Sequence, residues 1–339
     1  MVSVKGFISS NFTKAFLTIF LPFFLIFTLI YLVKISALTS KIQISFVELL
    51  QLYSYSIPDI VFYTLPISFI TALANVLLKL SQSNELIALY ALGLKANKVL
   101  KSLLVLGVLF SILLATISFL AMPISKQLYK DFKNAKKSEA KLNIVAGKLG
   151  QKFGNYYIYV KENKHGLFQN IVIYNRTNRD EEQFFSSQSG KLNKTNGVTS
   201  LQLNDGYGYT YANGKLQQSN YKRLEVFDKQ QSKPFEFEDI VAHWSKAKTE
   251  IKMLHRALFF IFVSLIPILS VYLIASFAMI NPRYQENRSF IVIAITGIGL
   301  YLIASFLEKW GTFPLLIAII IAILLLGKWM FDKRVAKYF

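Results

Sequence analysis

The chain alternates long apolar stretches with short charged punctuation. Six runs carry no charged side chain, at 15–33, 60–78, 102–125, 257–281, 289–307 and 310–327. Each is 18 to 25 residues long, and the hydrocarbon core of a bilayer takes about 20 helical residues. A single run of this kind fits a buried core helix. Six in one chain predict a polytopic α-helical membrane protein. They fall three and three around a polar block of about 130 residues, a 3+3 arrangement. Lys5, Lys14 and the sequence Ser36-Ala37-Leu38 give the first run a signal-peptide flavour, but its length and the five later runs predict a retained helix.

Inside the polar block the period changes. "KQLYKDFKNAKKSEAKLN" (126–143) reads as a helical extension of the third span. "YYIYV" (156–160), "NIVIY" (170–174), "TSLQL" (199–203), "YGYTY" (207–211) and "YKRLEVF" (221–227) are β-branched and aromatic, several with strict alternation. "ENKHG", "NRTNRDEE", "NKTNG", "NDG" and "ANG" between them are turn chemistry. Short strands with regular turns predict an all-β domain: a sandwich, a jelly roll or an open barrel. Tyr207, Tyr209 and Tyr211 share one face of their strand, opposite Gly208 and Thr210, as a packed sandwich face or a cavity wall. From about Glu238 the helical pattern returns.

Charge then sets orientation. With the N-terminus cytoplasmic, the inner segments hold twelve Lys and Arg and the short outer loops three, Lys34, Lys41 and Lys309. That asymmetry predicts both termini in the cytoplasm and the polar block outside. The net charge of +19 would suit a nucleic-acid binder, but residues 124–256, with 23 basic against 13 acidic side chains, face outward on this topology. Anionic lipid is then the expected partner, and nucleic acid is not. There is no cysteine, so the outer domain must hold together by packing alone.

Catalytic signatures do not emerge. The Gly-Lys pairs at 147, 190, 214 and 327 are followed by Leu or Trp, which excludes a P-loop. His165, His243 and His255 lack metal-ligand spacing. No cofactor is expected. Asp59 and Glu308 sit at the outer ends of spans, where an enzyme acting on a lipid-linked sugar would want its acids, but nothing in the sequence pairs them.

One short segment stands apart. In "SQSNELIALYALGLKANKVLKSLL" (81–104), seven apolar residues lie between Glu85 and Gly93, too few to cross a bilayer. Asn84 is a good N-cap, Glu85 complements the helix dipole and Gly93 suits a left-handed stop. A two-turn helix is predicted on the cytoplasmic side, with Leu86, Leu89 and Ala88 or Tyr90 as a stripe for a partner's groove. The alternative is a helix lying among the lipid headgroups.

Pro58, the run "LPISFITALANVLLKLSQSNELIALYALGLKANKVLKSLL" (65–104) and the 3+β domain+3 layout resemble the LptF/LptG family of lipopolysaccharide-export permeases. The family's acidic–apolar–Ala-x-Gly motif is matched at Glu85, Ala91 and Gly93. "GKLGQKFGNYYIYVKENKHGLFQNIVIYN" (147–175), "TEIKMLHRALFF" (249–260) and "NPR" (281–283) extend the likeness over essentially the whole chain, leaning toward the LptF branch. The 4–5 loop lacks a Gly-rich run, and Ala257 stands where a Pro is common.

The resemblance implies a permease subunit, not an enzyme, of an ABC transporter in a Gram-negative inner membrane. It implies a second LptF/LptG-type permease as heterodimer partner, an LptB-type ATPase dimer, and an LptC/LptA-type periplasmic bridge that receives the lipopolysaccharide. Residues 85–93 become a coupling helix, with Glu85, Leu86, Ala88, Leu89, Ala91 and Gly93 as its residues. Lys34 and Lys41 become contacts for substrate phosphates. Spans 1 and 5 border a cavity and lateral gate. A jelly-roll-like periplasmic β domain cradles acyl chains. The implied organisation is spans 1–3 with the coupling helix in 1–125, the β domain in 126–250, and spans 4–6 with the C-terminus in 251–339. A lipoprotein- or macrolide-type permease is a competing reading, but such proteins insert their outer domain after span one.

Overall fold

The structure, a computed structural model, describes residues 4–39, 44–142, 144–153, 156–164, 166–178, 181–195, 198–212, 214–227, 237–279 and 289–337. Lys41 and the "NPR" turn lie outside the described residues. Contacts divide the chain into a helical unit (1–37, 46–129 and 238–339) and a second unit (38–45 and 130–237) that holds the β sheet.

Among the described residues, six helices are long and apolar enough to cross a membrane. They are built on α1 (Val4–Thr39), α3 (Ile57–Gln82), α5 (Ala96–Thr116) continuing as α6 (Met122–Leu142), α8 (Ile251–Ala278), α9 (Ser289–Trp310) and α10 (Phe313–Phe331). Two short helices, α2 (Phe46–Ser54) and α4 (Glu85–Ala91), lie on either side of α3 in the chain. Pro58 falls in the first turn of α3 and Pro314 in that of α10, where a missing N–H costs nothing. α3 and α8 form the core, 72% buried over their most apolar windows, whereas α1, α9 and α10 are largely exposed.

Lipid tails are as apolar as leucine, so burial alone does not join these helices; shape and hydrogen bonds must. Gly107 supplies shape: a Cβ there would lie 3.2 Å from the Cα of Ile268, so α5 and α8 approach closely. Serines supply hydrogen bonds. The Ser81 hydroxyl donates to the Ala278 carbonyl at 2.9 Å, the Ser118 and Ser264 hydroxyls meet at 3.2 Å, and the Ile268 amide donates to the Ser111 oxygen at 3.3 Å. Phe12 joins α1 to its neighbours, its ring 5.1 Å from Phe69 and 5.9 Å from Phe110.

A π turn at Ile117–Ala121 interrupts the third span. Such a turn loosens the regular helical ladder. The Phe119 carbonyl accepts a hydrogen bond from the Trp244 indole at 3.0 Å, and the two rings pack 4.9 Å apart. Trp244 belongs to α7 (Ile240–Ser245). About two turns further along, Gln127 and Glu238 bond reciprocally, the Gln127 amide to the Glu238 carbonyl at 3.1 Å and the Glu238 N–H to the Gln127 oxygen at 2.9 Å. Residues 238–250, expected within the β domain, therefore pack with the helices.

The β domain is one antiparallel sheet in sequential order: β1 (Gln151–Phe153), β2 (Tyr156–Lys164), β3 (Leu167–Asn178), β4 (Glu181–Thr195), β5 (Val198–Ala212) and β6 (Lys215–Phe227). Among the described strands this is a meander; the Greek-key crossovers of a strict jelly roll are absent. Two expectations change. β4 covers a stretch that alternation did not mark, because "EEQFFSSQSGKLNKT" is polar at most positions. "NDG", read as a turn, lies inside β5. Asp205 takes a left-handed φ of 50° while pairing continues on both sides, Asn204 opposite Ser189 and Gly206 opposite Ser187. In β3, Asn170 does the same at φ 51°, and its neighbours Gln169 and Ile171 face the same two serines. The sheet creases along this line. Ile158, Val160, Ile171 and Ile173 on one side and Phe168, Leu201, Leu203 and Val226 on the other then share one core. Gly206 is required at the crease: an added Cβ would lie 2.2 Å from the Ser186 carbonyl oxygen.

Candidate functional site

α4 is an independent capped unit. The Asn84 side chain makes no capping bond; Asn84 sits left-handed at φ 58°. No side chain caps the entry; the Ser83 hydroxyl lies 2.9 Å from the Glu85 carboxylate and 2.8 Å from the Lys79 carbonyl. The exit is as the sequence predicts. Gly93 is left-handed at φ 83°, its N–H donates to the Tyr90 carbonyl at 2.9 Å, and the Leu94 N–H reaches the Leu89 carbonyl at 3.1 Å. These two bonds define a Schellman stop.

The faces of α4 differ from expectation. Leu86 is 2% exposed within the helical core, and Leu89 and Tyr90 pack against that core. Spacing at i, i+3 and i+4 puts all three on one inward stripe. The stripe expected to meet a partner is thus spent on the protein's own spans. The outward stripe is Ala88, Ala91 and Leu92, the last 80% exposed. Glu85 is half-buried at the edge, and Gly93 is exposed. Sequence periodicity finds an apolar stripe but cannot say whether its partner is internal. Burial pushes the Tyr90 phenol up, so it stays neutral. Lys95, Lys98 and Lys101 follow in the chain, all exposed.

The opposite ends of the helices carry a second cluster. Lys34 is exposed, its Nζ 4.7 Å from the centroid of the Tyr31 ring. Lys126 lies 3.6 Å from the Asp59 carboxylate and 5.5 Å from the Phe260 ring centroid. Lys34 and Arg256 are close enough to act on the Asp59 charge. The Tyr301 hydroxyl donates to the Tyr63 carbonyl at 3.1 Å, and Tyr63 lies within reach of the Asp59 and Glu308 charges. Sequence reading picked out Lys34 and Asp59 separately. It missed Lys126 and Arg256, because only packing brings the base of α6 and the start of α8 to α3. Asp59 is an ion-pair partner of a lysine, not half of a carboxylate pair. Among the described residues no group of His, Asp and Glu is arranged to hold a metal.

In the β domain, Tyr157, Tyr174, Phe184 and Tyr209 lie directly opposite one another across four strands. Tyr157, Phe184, Tyr207 and Tyr211 are exposed, so the tyrosine face of β5 is an outer face and not a cavity wall. The small face turns inward, where Phe185 covers Gly208.

Among the described residues, six candidate spans, an inserted β domain and a short helix between spans two and three give the layout of a multi-pass membrane protein. The family model described as Lipopolysaccharide export system permease LptF/LptG matches residues 7–331, and the chain belongs to that family. It is accordingly a multi-pass inner-membrane component of lipopolysaccharide export. Among curated proteins, none matches the chain.

Proposed function

We propose that the chain is one of two permease subunits that draw lipopolysaccharide from the outer leaflet of the inner membrane and pass it toward a periplasmic bridge of LptC and LptA type. Its termini are cytoplasmic and its β domain periplasmic, as the twelve-to-three basic asymmetry requires. The observation that carries the reading is the two-faced α4. Leu86, Leu89 and Tyr90 fasten the helix to the spans, while Ala88, Ala91 and Leu92 face outward into the groove of an LptB-type ATPase. Glu85 and Gly93 fix its two ends. Motion of the ATPase then reaches α3 and α5 through a rigid lever.

Lys34, with Lys41, meets substrate phosphates at the outer leaflet, and the Lys126–Arg256 cluster adds charge beside it. Acyl chains follow the apolar side of the creased sheet, which must open to admit them because Ile158, Val160, Ile171 and Leu203 are fully buried.

A mild-detergent pull-down of the tagged chain from its native membrane tests this. Wild type should bring down a P-loop ATPase, a second six-span homologue and lipid A. Glu85→Ala should lose the ATPase while remaining in the membrane. Lys34→Asp should keep the ATPase and impair lipid extraction. A chain recovered alone would make α4 a membrane-surface element and restore the enzyme reading.

A further inference from the structure

A cavity of about 410 Å³ opens between α1, α3 and α4, within the about 300–1,000 Å³ range of small-molecule sites. Its lining separates by chemistry. Ala15, Ile19 and Val76 give it an apolar wall. Two polar stripes complete it: Asn11, Lys14 and Thr18 on α1, and Asn75 and Lys79 on α3. Spacings of three and four residues place each stripe on a single helix face.

These polar groups are not consumed by the fold. Among the described residues, the side chains of Asn11, Lys14, Asn75 and Lys79 make no hydrogen bond or ion pair. Asn75 lies inside the charge-free run at 60–78 and is exposed. A polar side chain at span depth is costly and marks a ligand path or site by default. The charge is net positive, two lysines against Glu85, whose carboxylate is already held by the Ser83 hydroxyl.

We infer that this cavity binds the headgroup of an anionic phospholipid. The phosphate sits between Lys14 and Lys79. The amides of Asn11 and Asn75 take the headgroup hydroxyls and ester oxygens, and an acyl chain runs along Ala15, Ile19 and Val76. An aqueous phosphate would leave that apolar wall unused, and a zwitterionic lipid would bring its own cation to the lysines. The bound lipid braces α1 against α3 beside Glu85, so the composition of the leaflet bears on the helix that carries Leu92. That this leaflet is the cytoplasmic one rests on the orientation proposed above; the ligand chemistry does not.

The test is native mass spectrometry of the full-length chain in mild detergent, titrated with phosphatidylglycerol or phosphatidylcholine. Each lysine near an anionic surface is worth about fivefold in affinity, so two give about thirtyfold. Wild type should prefer phosphatidylglycerol by that order. Lys14→Gln/Lys79→Gln should bind both lipids alike, Lys14→Arg/Lys79→Arg should keep the preference, and Lys328→Gln/Lys333→Gln should match wild type. Retained preference in the Gln pair, or none in wild type, overturns the site. Displacement of the lipid by equimolar glycerol phosphate would also overturn it, in favour of a soluble phosphate. Association with the ATPase is not read in this assay, so the site and the coupling role fail separately.

Discussion

The two faces of α4 make opposite demands, and two substitutions separate them. Leu86 is 2% exposed within the helical core. Truncating a buried leucine to alanine removes its packing and leaves a cavity, at a cost of about 2–5 kcal/mol. Leu86→Ala should lower the thermal unfolding midpoint of the detergent-solubilised chain, and α4 should exchange amide hydrogens faster. Leu92 is 80% exposed, so Leu92→Asp removes nothing from the fold and should leave the midpoint unchanged. In a partner's groove, however, an apolar anchor is worth about 2 kcal/mol, or about thirtyfold in affinity. ATPase association, measured by titrating the ATPase onto immobilised permease, should fall by that factor. Gly93 offers an internal check. A Cβ there meets nothing within 4 Å, so Gly93→Ala carries only the left-handed backbone cost of about 1–2 kcal/mol. If Leu92→Asp binds the ATPase normally while Leu86→Ala loses it at unchanged stability, the helix faces the other way.

Three further outcomes are expected. A double-mutant cycle on Ser118→Ala and Ser264→Ala, read by unfolding in mixed micelles, should give a coupling of about 0.6 kcal/mol, the usual value for a hydrogen bond between membrane helices; zero coupling would remove that bond from the contact between the π turn and α8. Hydrogen bonds from Lys246 and then His243 hold the Glu238 carboxyl below the ordinary carboxylate range. A depressed folded pKa means the contribution is complete at neutral pH and is lost only as pH falls through that lowered value. Hydrogen exchange at 238–246, corrected for the intrinsic rate, should therefore stay slow in mild acid, quicken below it, and lose this dependence in Glu238→Gln; a dependence that survives in Glu238→Gln would remove Glu238 from the role. Gly206→Ala, whose Cβ would sit against the Ser186 carbonyl, should destabilise the β domain by about 1–3 kcal/mol, with unchanged melting as the contrary result.

The spans were legible because a bilayer imposes a length and a composition that no soluble helix must meet, and the runs at 60–78 and 257–281 announce themselves. The stop at Gly93 was legible because a left-handed residue needs glycine or a small polar side chain. The strands "YYIYV" and "NIVIY" were visible by alternation. β4 was not, since its stability comes from pairing on both edges and not from its own side chains. "NDG" misled because turn chemistry and a crease both use the same left-handed conformation; whether the chain reverses there depends on the strands alongside.

The sequence by itself therefore determined the class: six spans, an inserted β domain, a capped helix between spans two and three, and a family likeness spread over nearly the whole chain. The first three follow from local patterning, and the likeness rests on the order and spacing of the motifs at 65–104, 147–175 and 249–260. Tertiary structure decided which stripe of α4 is spent internally and which stays free. It also decided that Lys126 and Arg256 join Lys34 and Asp59, that Trp244 anchors a returning helix to a π turn, and that the tyrosines of β5 face outward. These are questions of which surfaces meet. A pattern of period two or 3.6 states that a surface exists, but its partner is chosen by residues far away in the chain.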